Sequence, residues 1–353
     1  MEENGILEIS SLQQLRTIGR KKLIDQNVKR IKICSSLSDD RKKIRYLKTE
    51  FDMLEEVYMP KDGEIFSSDD GKQLFRKYAN NVISLALYLD KKEKVIVPDG
   101  IRFIEPYAFY KSNIRFVELP DSVVSIKKCA FSKCKNLEEF RFSKNLNHIG
   151  NYCFEKCDNL KELSFPGSLK KIGDFALPNF DAIQVERPVP SIFVAAAQCT
   201  MSYTESNPCY LLIYKDRKFM IPRNISSAKA KTIVDILNDK ENISSKPRIC
   251  FNLLASFEDR CRFALMSLLL YNDSNAEKYL RSNFSYISII FSDRSDKKEK
   301  EFLEVLENFR NGSGLTPKMR DIAMKIATEN KWTQATALIL DISKNRGKPS
   351  FSL

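Results

Sequence analysis

The side chains that could do chemistry are few. One histidine, His148, serves all 353 residues. A lone imidazole rules out a metal site built on several histidines and weighs against a Ser-His-Asp or Cys-His relay. His148 lies between Asn147 and Ile149 at a position expected to face solvent. Four of the nine cysteines cluster as Cys129, Cys134, Cys153 and Cys157, with spacings C-x(4)-C and C-x(3)-C and 18 residues between the pairs. A four-thiolate zinc site is one reading, and ladder packing in a repeat is the simpler one. The acidic pairs Asp39-Asp40, Glu55-Glu56 and Asp69-Asp70 read as solvated charges, since glycosidase chemistry needs two carboxylates facing one cleft. Neither G-x-x-x-x-G-K-[ST] nor G-x-G-x-x-G occurs, so the usual phosphate cradles are missing. The expectation is a protein that is not an enzyme, with no metal and no cofactor. An enzyme reading would need an acidic site in the C-terminal region, where no nucleophile–base pair is in sight.

The elements that position these residues form a repeat. Written from Ile114 in blocks of 23, the chain gives IRFVELPDSVVSIKKCAFSKCKN, then LEEFRFSKNLNHIGNYCFEKCDN, then LKELSFPGSLKKIGDFALPN. Four apolar columns emerge. They are Leu119, Phe142 and Phe165; Val123, Leu146 and Leu169; Ile126, Ile149 and Ile172; and Phe131, Phe154 and Leu177. An earlier block from Val95 contributes Val97, Ile104 and Phe109 at a spacing of 22. No block is long enough to bury its own apolar residues, but stacked blocks turn each column into a continuous ladder. Pro98, Pro120 and Pro166 share a position just after a strand, where a missing N–H helps the chain leave the sheet. Cys134 and Cys157 fall in one column, and Cys153 takes the column of Ala130.

The segments "VELPDSVVSIKKCAFSKCKNL" (Val117–Leu137) and "LKELSFPGSLKKIGDFA" (Leu160–Ala176) resemble the BspA-like leucine-rich-repeat family. The resemblance covers about residues 94–190. It implies a right-handed solenoid used for protein binding and adhesion, not catalysis. Weaker copies at "LEEVYMP" and "VKRIKI" extend the array to about residue 12.

The expected organisation is a β-rich repeat solenoid over residues 1–190, a β cap or linker over 191–224, and an all-helical domain over 225–353. Within the solenoid, residues 61–93 read as a β-hairpin insertion turning at Ser68–Gly71, where Asp-Asp-Gly supplies positive φ. "PCYLLIYKDRKFMIPR" reads as a strand pair around Lys215–Arg217, and Pro188–Arg223 as the cap that a solenoid end requires. From Ser226 the apolar period becomes helical. Helices are expected in "SSAKAKTIVDILNDK", in "SFEDRCRFALMSLLLYN", in "DKKEKEFLEVLENFRNGSG" with Phe302, Leu303, Leu306 and Phe309, and in a pair from Thr316-Pro317 broken near Asn330–Lys331. Ala323, Ala327, Ala335 and Ala337 would let these helices pack closely, in the manner of ankyrin or HEAT pairs.

Strand residues alternate inward and outward. If Phe140 and Phe142 point in, the outward row holds Phe116 and Glu118, Glu139 and Arg141, Glu162 and Ser164, and Ala182 and Gln184. Stacked, they make a mixed-charge strip fit for a protein partner, with Phe116 as the exposed apolar anchor. The expected function is a protein-interaction scaffold or adaptor, with a second surface or homo-oligomer contact in the helical domain. The net charge of +12 also suggests nucleic-acid binding through the run from Arg16 to Lys32, although most of the excess is spread along the chain. The acidic N-terminus lacks an apolar leader core and no long apolar window occurs, so a cytoplasmic location with no membrane span is expected.

Overall fold

In a computed structural model of the chain, the residues described are 2–3, 6–9, 29–33, 44, 47, 53–198, 209–215, 217–222, 225–238, 260–261, 264–265, 267–269, 274–291, 296–311 and 314–344. The chain divides into two compact units. The first comprises residues 1–204, 210–219 and 226–235; the second comprises 205–209, 220–225 and 236–353.

The first unit is a β-solenoid. In its first strand row, β1 (Glu2–Glu3), β2 (Ile6–Ile9), β3 (Arg30–Ile33) and β4 (Glu56–Tyr58) form one sheet, with β2, β3 and β4 parallel. The row resumes with β8 (Lys94–Ile96), β10 (Phe116–Glu118) and β12 (Glu139–Arg141), also parallel, and with β14 (Glu162–Phe165) and β16 (Ala182–Val185). Each strand hides every second residue: Val57, Val95, Val117, Phe140, Leu163 and Ile183 all lie within the core. That alternation is what the period-two pattern dictates.

A second strand follows in each coil. β9 (Ile101–Ile104), β11 (Ser125–Ile126), β13 (His148–Ile149) and β15 (Lys171–Ile172) pair in parallel, with Ile104, Ile126 and Ile149 wholly buried and in register. Residues 61–93 join this sheet. β5 (Ile65–Ser67), β6 (Gln73–Lys77) and β7 (Ile83–Tyr88) form an antiparallel meander, and β7 then runs parallel to β9. The turn between β5 and β6 has Gly71 at φ 67°, with its N–H donated to the Ser68 carbonyl at 3.1 Å.

Between coils the core is aromatic. Phe131 stacks on Phe109 at 4.7 Å and on Phe154 at 5.6 Å between ring centroids, and Phe140 meets it edge-on at 4.9 Å. Two positions in each turn are left-handed without being glycine. One column is Tyr107, Cys129, Tyr152 and Phe175; the other is Lys111, Lys133 and Lys156, all with φ between 52° and 65°. An L-residue held there is strained by contact between Cβ and backbone. Lys156 is exposed, so Lys156→Gly should relieve that strain without opening a cavity. We expect a gain of about 0.5–1 kcal/mol, read as a higher urea midpoint.

The sequence reading assigns only strands to Pro188–Arg223, whereas the structure opens this segment with helix α1 (Pro190–Gln198). The helix closes the second sheet by side-chain bonds. Ser191 Oγ accepts from the Ile172 N–H at 3.0 Å, and Gln198 Oε1 accepts from the Phe175 N–H at 2.8 Å. The first row ends differently, with β17 (Cys209–Tyr214) parallel to β16 and β18 (Arg217–Pro222) next to it. Helix α2 (Ser227–Asn238) follows.

The second unit is helical, with α3 (Ser274–Ser282), α4 (Ile287–Ile290), α5 (Asp296–Asn311), α6 (Pro317–Asn330) and α7 (Thr333–Lys344). Phe284, Phe291, Phe302, Val305, Leu306, Phe309 and Trp332 form its core. Thr316 caps α6, its Oγ1 accepting from the Met319 N–H at 3.2 Å, and Pro317 occupies the first turn. Lys331, at φ 59°, ends α6 at the expected break. Ala323, Ala327 and Ala335 are buried as close packing requires, but Ala337 is exposed. Most of "SFEDRCRFALMSLLLYN" lies outside the described residues. No helix among those described is long and apolar enough to cross a membrane.

Candidate partner-binding face

Parallel register carries the outward residues of the first strand row into lines. Lys94, Phe116 and Glu139 share one line, and Ile96, Glu118 and Arg141 the next. Glu162 pairs with Ala182, and Ser164 with Gln184. A hollow of about 800 Å³ opens on this face. Phe116, Glu139, Arg141, Glu162, Ser164 and Gln184 all line it, together with Glu93, Lys94, Arg115, Glu138, Asn159 and Lys161. Glu118 lies on the same row but not in the lining.

The charges of the strip are largely neutralised by one another. Arg141 Nε donates to Glu139 Oε1 at 2.9 Å, and its Nη1 lies 3.5 Å from Glu118 Oε2. Arg115 Nη2 donates to both Glu138 oxygens at 2.9 Å, and Glu93 stands 3.8 Å from its Nη1. All are exposed, so these pairs order the surface more than they stabilise the fold.

Phe116 is not the open anchor expected of it. It is half-buried, with Lys94 Nζ at 5.1 Å and the Arg141 guanidinium carbon at 5.0 Å from its ring centroid. Cations are drawn to the negative face of the ring and cover it. The open apolar side chain is Ile96, 62% exposed on β8. Its place was readable: the block of spacing 22 puts Ile96 in the line of Glu118 and Arg141.

The cysteines belong to the core. Cys134 and Cys157 are fully buried, and each thiol donates to a carbonyl of the preceding coil, Phe109 O at 3.0 Å and Phe131 O at 3.1 Å. Desolvation pushes the Cys153 and Cys157 thiols well above their ordinary range, which suppresses the reactive thiolate. We therefore expect iodoacetamide to leave Cys134, Cys153 and Cys157 unmodified in native protein at pH 8 and to alkylate all three after denaturation, as read by peptide mass spectrometry. Among the described residues, no group of three or more His, Cys, Asp or Glu side chains is placed to hold a metal ion.

His148 is half-buried and does not face solvent freely; its Nδ1 is sealed from water with no hydrogen-bond partner. Burial first, then Lys127 and Lys171, lower its pKa. Of the basic run from Arg16 to Lys32, residues 16–28 lie outside those described. The three described cations face carboxylates: Lys29 is 3.8 Å from Glu55, Arg30 4.0 Å from Glu56, and Lys32 2.6 Å from Glu8.

Residues 84–192 match the family model of the BspA type leucine rich repeat region, in six copies. Those residues are a BspA-type leucine-rich repeat region. The strip and hollow lie mainly on these repeats. Solved structures similar to this chain include a leucine-rich repeat protein from Bacteroides capillosus, 26% identical over 35% of this chain and 99% of that one, with a TM-score of 0.31. A leucine rich cell surface protein from Faecalibacterium prausnitzii is 25% identical over 47% of this chain and 43% of that one, with a TM-score of 0.38. The pneumococcal vaccine antigen PcpA is 24% identical over 39% of this chain and 34% of that one, with a TM-score of 0.35. This chain thus spans less than half the length of the last two. No curated protein matches it.

Proposed function

We propose that the protein is a non-enzymatic interaction scaffold whose BspA-type repeats bind a protein partner across the first strand row. The observation that carries this reading is the hollow that gathers Phe116, Glu139, Arg141, Glu162, Ser164 and Gln184 from consecutive coils. Repeat solenoids present such extended surfaces, built from side chains far apart in sequence. Glu118 orients Arg141 from the edge of the hollow, and Ile96 offers apolar area beside it. In the helical unit, exposed Leu340 and Tyr286 mark the surface for a second contact or self-association. Cytoplasmic placement belongs to the same proposal, supported by buried thiols in adjacent coils that are not joined as disulfides.

The test is a titration with the partner recovered from the native cell by affinity capture. Arg141→Glu should weaken binding by about tenfold or more, since a reversed charge faces Glu118 and Glu139 and disorders the hollow. Lys135→Glu, at an exposed position outside the lining, should change little. Equal affinities for Arg141→Glu and the unaltered protein would remove the strip from consideration.

A further inference from the structure

The second sheet carries a charge pattern unlike the first. Phe103, Ser125, His148 and Lys171 are in register across β9, β11, β13 and β15. Arg102 and Lys170 flank this line on one side, and Lys127 and Lys128 on the other. Among the described residues none of these five cations makes an ion pair, whereas Arg115 and Arg141 on the strip are both paired. Two nearby carboxylates are engaged elsewhere. Glu105 accepts from the Tyr78 hydroxyl at 2.6 Å, and Asp174 from the Gln198 amide at 3.1 Å.

Two of the lysines are seated on rings. Lys127 Nζ is 4.7 Å from the Phe103 centroid, and Lys128 Nζ is 5.6 Å from that of Tyr152, which stacks on Phe175 at 5.3 Å. The seats restrict long side chains that would otherwise move apart to relieve like-charge repulsion. We propose that this face, with Arg102, Lys127, Lys128, Lys170 and Lys171 around His148, docks an acidic polypeptide segment of a partner protein.

Charge complementarity supplies the first argument, because five cations that form no ion pair among the described residues outnumber the two nearby carboxylates, Glu105 and Asp174, and attract an extended run of carboxylates. Four of the five are lysines, compact point charges, and only Arg102 has the planar fork that grips phosphate in two places. The rings argue the same way. Binders of single-stranded nucleic acid offer open aromatic faces for bases to stack on, and here Phe103 and Tyr152 are covered by the protein's own lysines. His148 reports the local field: Lys127 and Lys171 both lower its pKa, and no carboxylate opposes them. Four adjacent strands span about 14 Å, the reach of about four extended residues.

The proposal is tested by fluorescence anisotropy with the full-length chain and a fluorescein-labelled 12-residue peptide of glutamate and aspartate. Saturable binding is expected at low salt, weakening as salt shortens the screening length. The double variant Lys127→Glu/Lys171→Glu should lose about tenfold or more in affinity. Lys127→Gln/Lys171→Gln should fall between it and the unaltered protein, which keeps the test decisive should the double charge reversal fold poorly. Lys135→Glu, a charge reversal at an exposed position outside the second sheet, should bind the peptide unchanged, which separates this face from the overall charge of the chain. No saturable binding, equal affinity in both double variants and the unaltered protein, or displacement of the peptide by an oligonucleotide of equal charge at lower concentration would each overturn the proposal.

Discussion

Phe131→Ala should destabilise the repeat unit by about 4 kcal/mol, the middle of the range for emptying a buried aromatic site. Phe131 is wholly buried and touches rings on three sides, from Phe109, Phe154 and Phe140. The coils on either side are joined by main-chain bonds, such as Phe109 N–H to the Ala130 carbonyl at 2.8 Å and Phe131 N–H to the Cys153 carbonyl at 3.0 Å. They cannot slide together to fill the gap without breaking that ladder. The measurement is the urea midpoint of the repeat transition, which should fall with little change in slope. Phe142→Ala is the internal comparison. Phe142 is only half-buried, so its loss should cost about half as much. Phe142 also meets three rings, Phe140, Phe154 and Phe165, so equal losses in the two variants would mean that burial does not set the cost.

Gly173→Ala should cost about 3 kcal/mol, for a different reason. A Cβ at Gly173 would stand 2.5 Å from the Asn151 main-chain nitrogen and against Asn151 Oδ1. The obstacle includes the backbone of the preceding coil, which cannot swing aside as a side-chain tip can. Gly150 occupies the equivalent place one coil earlier, where a Cβ would meet Lys128 N at 2.5 Å. Gly100→Ala provides the contrast. Gly100 has φ 86° and open space around it, so only backbone strain opposes the methyl group, at about 1 kcal/mol. Thermal unfolding of the three variants should rank Gly173 and Gly150 well below Gly100. A Gly173→Ala protein as stable as Gly100→Ala would show that the coils can move apart at low cost.

The repeats were legible because their physics is one-dimensional. A residue that must lie over its counterpart in the next coil has to share its size and polarity, so Ile126, Ile149 and Ile172 advertise the stack. The face was legible only in part. Alternation along each strand places Glu139, Arg141 and Glu162 outward without any knowledge of the fold. It does not reveal that Lys94 and Arg141 fold over Phe116, because that contact joins three coils and depends on side-chain rotamers. Helix α1 was hidden by its composition: Ile192, Phe193, Ala195 and Ala196 are all buried, and a short apolar run of that kind reads as strand or helix alike. Gly150 and Gly173 were visible within the repeat, but their meaning was not, since close approach is a property of the neighbouring coil. In the helical unit the caps at Thr316 and Lys331 mark the last two helices, while α3 and α4 carry no comparable signal.

The two strand rows of the solenoid differ in continuity. The second row is one unbroken sheet of seven strands, from β15 to β5, whereas the first is divided between β4 and β8 and again between β12 and β14. At those two divisions, opening the first row breaks no strand-to-strand hydrogen bond. Compliance is one-sided, and the second division runs through the hollow itself. A partner wedged between β12 and β14 would break no hydrogen bond of the first row, while the second sheet and main-chain bonds such as Tyr152 N–H to the Asp174 carbonyl at 2.9 Å and Phe154 N–H to the Ala176 carbonyl at 2.8 Å keep the coils in order.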